Sequence, residues 1–209
     1  MGWYSHFRLV AYRVKRQGWE ARRPEGADIV SNSGWISSTM PYLTPRGTGG
    51  DDAWKAEAAA QGRRGSQRII HAGEVAAPAD VAELLGLPDG DSVVVRRRIM
   101  FLDDRPNELT DTYYPAGIAR GTRLAETAKI PGGAITLLAE LGYAGATARE
   151  DVTAGMPSDE EQELLRTAGD EPVLRLTRLT LDSRQRPFQV DMMTMPAHRQ
   201  RLRYEITIG

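Results

Sequence analysis

VVVRRRIMFLDDRPNELTDTYYPA, from Val93 to Ala116, decides how this chain is read, because VLRLTRLTLDSRQRPFQVDMMTMPA, from Val173 to Ala197, repeats its design. Laying Pro106 on Pro187 brings Arg105 onto Arg186 and, nine residues further on, Pro115-Ala116 onto Pro196-Ala197. Upstream, Arg98 meets Arg178 once the second copy is given one extra residue in its turn, and Asp103 then falls one place from Asp182. Each copy is a run of β-branched and long apolar residues, a turn rich in Asp, Ser and Arg, and a second such run, which is the pattern of a β-hairpin. A lone hairpin is marginal in water, so the two are expected to join one antiparallel sheet with helices against it. The fold class expected is therefore α+β, a mostly antiparallel sheet with two pseudo-repeated hairpins flanked by helices.

The 209 residues suit one medium domain with an extension, divided here into an N-terminal extension over 1–50 and a domain over 51–209. Formal charge is near balance at −1, so any attraction to nucleic acid has to come from local clusters. The absence of cysteine excludes disulfides, thiolate zinc sites and cysteine nucleophiles. No apolar run approaches the roughly 18 residues of a membrane span, and the N-terminus lacks a signal-peptide layout. These features lead us to expect a soluble cytoplasmic protein with no membrane partner.

Around the hairpins the chain divides by local signals. Arg8, Arg13, Lys15, Arg16, Arg22 and Arg23 interleave with Trp3, Tyr4, Phe7, Tyr12 and Trp19. That mixture could contact a nucleic-acid backbone, but an ordinary amphipathic arm is the preferred reading. Ser31 to Asp52 reads as loop and linker, with Trp35, Met40 and Tyr42 as packing anchors. A short helix follows, opened at Asp52 and closed at Gly62. Ser66 to Val75 alternates as an edge strand, and His71 within it reads as structural because no second ligand lies at metal spacing. Pro78 opens a helix that buries Val81, Leu84 and Leu85 and ends at Gly86.

In the first hairpin, period-two geometry puts Arg97 on one face of the strand and Arg96 and Arg98 on the other. Arg96 and Arg97 read as solvated or rim residues. Arg98 could lie likewise, or could face an anionic partner. Farther on, Ala134 to Leu141 reads as a helix stopped by Gly142. Ala148 to Ala154 reads as a strand whose Arg149, Glu150 and Asp151 protect an edge. Ser158 to Glu161 is a capping box, and Leu202 to Ile208 is expected to close the sheet.

No phosphate loop, HExxH, GxSxG or dinucleotide fingerprint occurs, and His6, His71 and His198 are too far apart in sequence to suggest a metal pair. The expectation is a binding protein with no catalytic residues, metal or cofactor.

Gly65 to Ile206, above all VVVRRRIMFLDDRPNELTDTYYPAGIARG, GGAITLLAELGY, AREDVTAGMPSDEEQELL and EPVLRLTRLTLDSRQRPFQVDMMTMPAHRQRLRYEI, resembles the effector-binding UTRA domain of GntR-type transcription regulators of the HutC subfamily. The resemblance covers about two thirds of the chain. It implies a chorismate-lyase-like fold, a homodimer, and a small-molecule effector whose binding changes the affinity of an attached winged helix for its operator. Residues 1–50 neither match that winged helix nor have its length, so DNA contact is expected only indirectly or through a full-length relative.

In sugar-phosphate-sensing relatives the anion is held by arginines on the first hairpin strand and a hydroxyl-aromatic pair on the second, which match Arg98 and Thr112-Tyr113. The resemblance therefore implies that Arg98 neutralises an anion and that Thr112 and Tyr113 orient it. Arg178 and Asp191 would line the pseudo-equivalent side. Gln189 and Met195 stand where such relatives have an acid and an aromatic, which disfavours an amino-sugar phosphate and suits a more apolar carboxylate. Two alternatives are a stand-alone interaction or dimerisation module, and a lyase using Arg98 with Glu150 or Glu205.

Overall fold

The computed structural model describes residues 35–37, 40–45 and 53–205, all within the compact unit Gly34–Gly209. The basic and aromatic stretch before Trp35 and the Met40 side chain lie outside the described residues.

The two hairpins are β3 (Ser92–Leu102) with β4 (Arg105–Pro115) and β6 (Val173–Leu181) with β7 (Pro187–Pro196). Their turns differ as the alignment requires. The first is a two-residue turn in which Asp103 and Asp104 both take positive φ, 49° and 64°, the backbone that matches strand twist. In the second, the Asp182 carboxylate accepts from the backbone N–H groups of Arg184 and Arg186, and Gln185 takes the left-handed position at φ 60°.

The repeat is larger than a hairpin. A strand and a short helix precede each one, namely β2 (Gly65–Ala76) with α3 (Ala79–Leu85) and β5 (Thr147–Gly155) with α6 (Asp159–Leu165). Each helix stops on a left-handed residue, Gly86 at φ 64° and Arg166 at φ 52°. Two βαββ units thus form one six-stranded antiparallel sheet in the order β2-β3-β4-β7-β6-β5, which is palindromic about the β4/β7 junction. Ser66 to Val75 is an edge strand as expected, and β5 is the opposite edge.

Bulges lie at matching places. Met100 pairs with Glu108 and Phe101 with Pro106, while Thr180 pairs with Gln189 and Leu181 with Pro187, leaving Asn107 and Phe188 as the extra residues. An extra residue shifts the alternation by one, so Phe188 joins the face opposite Val190.

Alternation divides the core into two sides. On one, Val93, Val95, Tyr113, Leu179, Leu181 and Val190 pack beneath Val81 and Leu85 of α3. On the other, Val94, Tyr114 and Phe188 pack with Ala119 of α4 (Ala116–Ala119), with Leu124 and Ile130, and with Leu137 and Leu138 of α5 (Gly133–Glu140). Burying this much aliphatic surface at roughly 25 cal/mol per Å² is the main force holding the elements to the sheet.

Trp35 and Tyr42 do act as packing anchors. With Trp54 and Ala58 of α2 (Ala53–Ala60) they cover Met100 and Leu102 at one end of the sheet. The two indoles lie 4.9 Å apart, and Trp54 Nε1 donates to the Phe101 carbonyl at 2.9 Å. Tyr42 belongs to α1 (Met40–Leu43).

The last strand departs from expectation. Gln200–Leu202, here β8, pairs in parallel with β1 (Trp35–Ser37) in a separate two-stranded sheet. Residues 203–205 are not strand, and 206–208 lie outside the described residues. The reason is topological, since β7 has both edges occupied, by β4 and β6, and the chain leaving it at Pro196 must find another edge.

Candidate functional site

The face of the sheet opposite α3 carries the polar side chains. Because successive side chains alternate, β3 contributes Arg96, Arg98 and Met100, and β4 contributes Glu108, Thr110, Thr112 and Tyr114. From the other unit come Arg178 and Leu176 on β6 and Gln189, Asp191, Met193 and Met195 on β7. These line a cavity of about 480 Å³ that is bordered by Tyr42 and Trp54 on one side and by Thr127, Lys129, Ile130 and Gly132 to Ile135 on the other.

Arg96 is 4 % exposed and is neither solvated nor at the rim. Its guanidinium donates to the carbonyls of Arg123, Leu124, Glu126 and Ala128, which ties down the start of the 127–135 segment. Burial pushes its pKa down, yet arginine stays charged throughout the accessible range. Four peptide dipoles take the place of a counter-ion. Arg97 lies on the opposite face, bridging Asp111 at 2.9 Å and Glu160 at 3.1 Å.

Arg98 and Arg178 occupy matching places in the two units and differ in their surroundings. Arg178 pairs across the strands with Glu150 and Asp191, and its Nε donates to Glu150 Oε1 at 2.6 Å in an ion pair whose partners are 8 % and 9 % exposed. Its guanidinium carbon also lies 6.0 Å from the Tyr42 ring centre. Arg98 pairs instead with Ile69 and Thr110, neither of them a carboxylate. It donates from Nη2 to Thr112 Oγ1 at 2.7 Å, and its buried Nε has no partner.

A chain of hydrogen bonds runs on from there. Thr112 Oγ1 donates to Asp191 Oδ1 at 2.7 Å, and Gln189 Nε2 donates to Asp191 Oδ2 at 2.8 Å. The Gln189 Oε1 is buried and without a partner. Glu108 accepts from Thr110 Oγ1 at 2.6 Å, and burial raises its pKa against the opposing pull of Arg178 and Arg98.

Of the residues singled out from the sequence, Arg98, Thr112, Arg178 and Asp191 are brought to this one cavity. Tyr113 is not. It points to the other face, among Val93, Val95 and Val190, where burial pushes its phenol up to about 12. Adjacent residues of a regular strand do not share a face, and Tyr114 is the β4 aromatic that lines the cavity. Stepping by two from Thr112 would have selected Tyr114 and Glu108. Glu150 belongs with Arg178 rather than protecting an edge. Gln189 and Met195, the departures from the family pattern, both face the cavity. Among the described residues no group of His, Asp and Glu could hold a metal ion.

Fold and cavity define an α+β domain of duplicated βαββ units with a cavity of mixed polar and apolar lining on one face of its sheet. Residues 60–201 match the UTRA domain model, and the chain belongs to that family. An uncharacterized HTH-type transcriptional regulator of Streptomyces coelicolor is 34 % identical over 137 residues, 63 % of this chain and 51 % of the relative. The chain thus spans about half the length of the curated relative it matches. Among solved structures, the ligand-binding domain of a GntR-family regulator from Bordetella bronchiseptica is similar at 26 % identity and TM-score 0.61, covering 69 % of this chain and 90 % of that one. PhnF from Mycobacterium smegmatis superposes with TM-score 0.70 at 18 % identity, over 84 % of this chain and 73 % of that one. The C-terminal domain of the histidine utilization repressor from Pseudomonas syringae has TM-score 0.57 at 23 % identity, over 69 % and 100 %. The fold is the chorismate-lyase-like α+β fold of UTRA effector domains.

Proposed function

We propose that this chain is the effector-sensing domain of a HutC-type transcription regulator, which binds a small anionic or amphipathic metabolite in the cavity and thereby modulates gene expression. Arg98 carries this reading. At matching places the two units set Arg98 and Arg178 in the cavity wall. Glu150 neutralises one of them, and at the matching place beside the other the chain has Ile69. A guanidinium whose buried Nε is an unused donor favours an incoming anion, because charge-assisted hydrogen bonds are the strong ones. In this reading Thr112 orients the anion, Asp191 sets the Thr112 hydroxyl, and Arg178 is a wall already compensated from within.

The protein acts in the cytoplasm as a homodimer, and it reaches DNA through a DNA-binding partner or segment rather than through this cavity. The relatives named above are transcription regulators, which supports binding over turnover. A lyase role for Arg98 with Glu150 would require a carboxylate that Arg178 already holds.

A thermal-shift screen of carboxylates, phosphates and acyl compounds tests the reading. A ligand at about 100 times its Kd adds roughly 2.7 kcal/mol of stability, several degrees in Tm for a chain of this size. Arg98→Ala is expected to weaken that ligand by more than about 1.5 kcal/mol, roughly tenfold. Equal affinity in the variant would remove Arg98 from the site. Incubation with chorismate is expected to yield no pyruvate.

A further inference from the structure

Two side chains that line the cavity each carry a buried polar atom without a partner, and the two atoms are of opposite kinds. Arg98 Nε is a donor and Gln189 Oε1 is an acceptor. Gln189 is 5 % exposed, and its amide cannot be turned over without loss, because Nε2 is committed to the Asp191 carboxylate at 2.8 Å. Its oxygen is therefore held as an acceptor. Leaving such an atom unpaired forfeits its hydrogen bond after it has been taken out of water, so a ligand able to donate to it gains over one that cannot.

The two atoms are joined by a short path. Arg98 reaches Thr112, Thr112 reaches Asp191, and Asp191 holds Gln189. Three hydrogen bonds of ordinary length, the carboxylate, the guanidinium and the amide together bound the separation at about 15 Å, so one small molecule can touch both ends. Between them the wall is apolar and adaptable, with Met193 and Leu176 beside the path and Ile130 in the 127–135 segment. The charges set a further limit. Asp191 lies one hydroxyl away from Arg98, and Glu150 already neutralises Arg178. A doubly charged group would meet Asp191 without a second free cation on this path, whereas a single carboxylate would not.

We infer that the effector is a compact monocarboxylic acid whose far end carries an N–H or O–H donor, the carboxylate bound at Arg98 and the donor at Gln189 Oε1. This rests on the reading of the cavity as the effector site and specifies its chemistry. The residue that departs from the family pattern at this position becomes the one that selects the effector.

The test uses the full chain and matched probes measured by isothermal titration calorimetry: hexanoate, 6-hydroxyhexanoate and 6-aminohexanoate, then 3-phenylpropanoate and 3-(4-hydroxyphenyl)propanoate. The donor-bearing member of at least one series should bind ten times or more tighter than its donor-free parent. Gln189→Leu should bring the two within about threefold of each other. Circular dichroism of each variant confirms that it is folded. Donor-free acids that bind as tightly as their partners, with Arg98→Ala weakening both, would overturn the inference and leave the effector site standing. Failure of every probe to bind the folded chain would overturn both.

Discussion

Tyr113 and Tyr114 are neighbours in sequence and serve opposite faces, one in the core beneath α3 and the other in the cavity wall. Glu108, on the cavity side, is 8 % exposed, and burial raises its pKa. A carboxyl raised in the fold contributes stability below its unfolded value, near 4.3, and loses it as pH climbs through the folded value. Glu108→Gln keeps the shape without the charge. The variant is expected to be more stable than the parent at neutral pH, with the difference shrinking toward pH 4, as denaturant midpoints across that range will show. Glu150 gives a contrasting case. Glu150→Gln leaves a buried Arg178 uncompensated and should cost about 3 kcal/mol at pH 7. The freed guanidinium should then take an anion of its own, so added carboxylate should restore part of the lost Tm. A variant insensitive to carboxylate would count against the pairing of the two half-sites.

At the scale of elements, α6 depends on its first turn. Ser158 Oγ accepts from the Glu161 backbone N–H, and Glu161 Oε2 accepts from the Ser158 N–H, so the capping box seen in the sequence forms in full. Ser158→Ala should cost about 1 kcal/mol. Glu161 also bonds Arg175 on β6, and chiefly through that contact its pKa falls to about 2. Its stabilisation is present above the ordinary value of 4.5 and is lost as pH drops toward 2. Glu161→Gln should therefore show a weaker acid-dependent fall in Tm over that window. At the other end of the sheet, β2 begins where α2 presses on it. A Cβ at Gly65 would lie 2.9 Å from both Ala58 Cβ and Trp54 Cδ1. Gly65→Ala should cost on the order of 1–3 kcal/mol by overpacking, and tryptophan fluorescence would report the displaced Trp54.

The whole molecule is joined at its centre, because the two βαββ units meet strand to strand along β4 and β7. One core draws Val93, Val95 and Tyr113 from the first unit and Leu179, Leu181 and Val190 from the second. The cavity likewise takes Arg98 and Thr112 from one and Asp191 and Gln189 from the other. Neither unit can close its core alone. A chain cut after Gly142 should show no cooperative thermal transition by circular dichroism, and mixing it with the complementary piece should restore one. A cooperative transition in the first piece alone would show that the units are independent.

Hairpins, edge strand, caps and the pairing of Arg98 with Arg178 were legible in the sequence because they follow from local rules of alternation, turn chemistry and spacing. The βαββ extent of the repeat was not, since the outer strands and helices of the two units share position more than residues. Nor was the fate of the last strand, which depended on which sheet edges were already occupied. Which arginine carries an internal partner was likewise beyond local reading. Arg98 and Arg178 have similar neighbours along the chain, and only the pairing of β2 and β5 with the hairpins puts isoleucine beside one and glutamate beside the other. Sequence determined the strands and their faces, while tertiary structure decided which arginine has a carboxylate partner, because charge compensation in a low-dielectric interior is set by contacts across strands far apart in the chain.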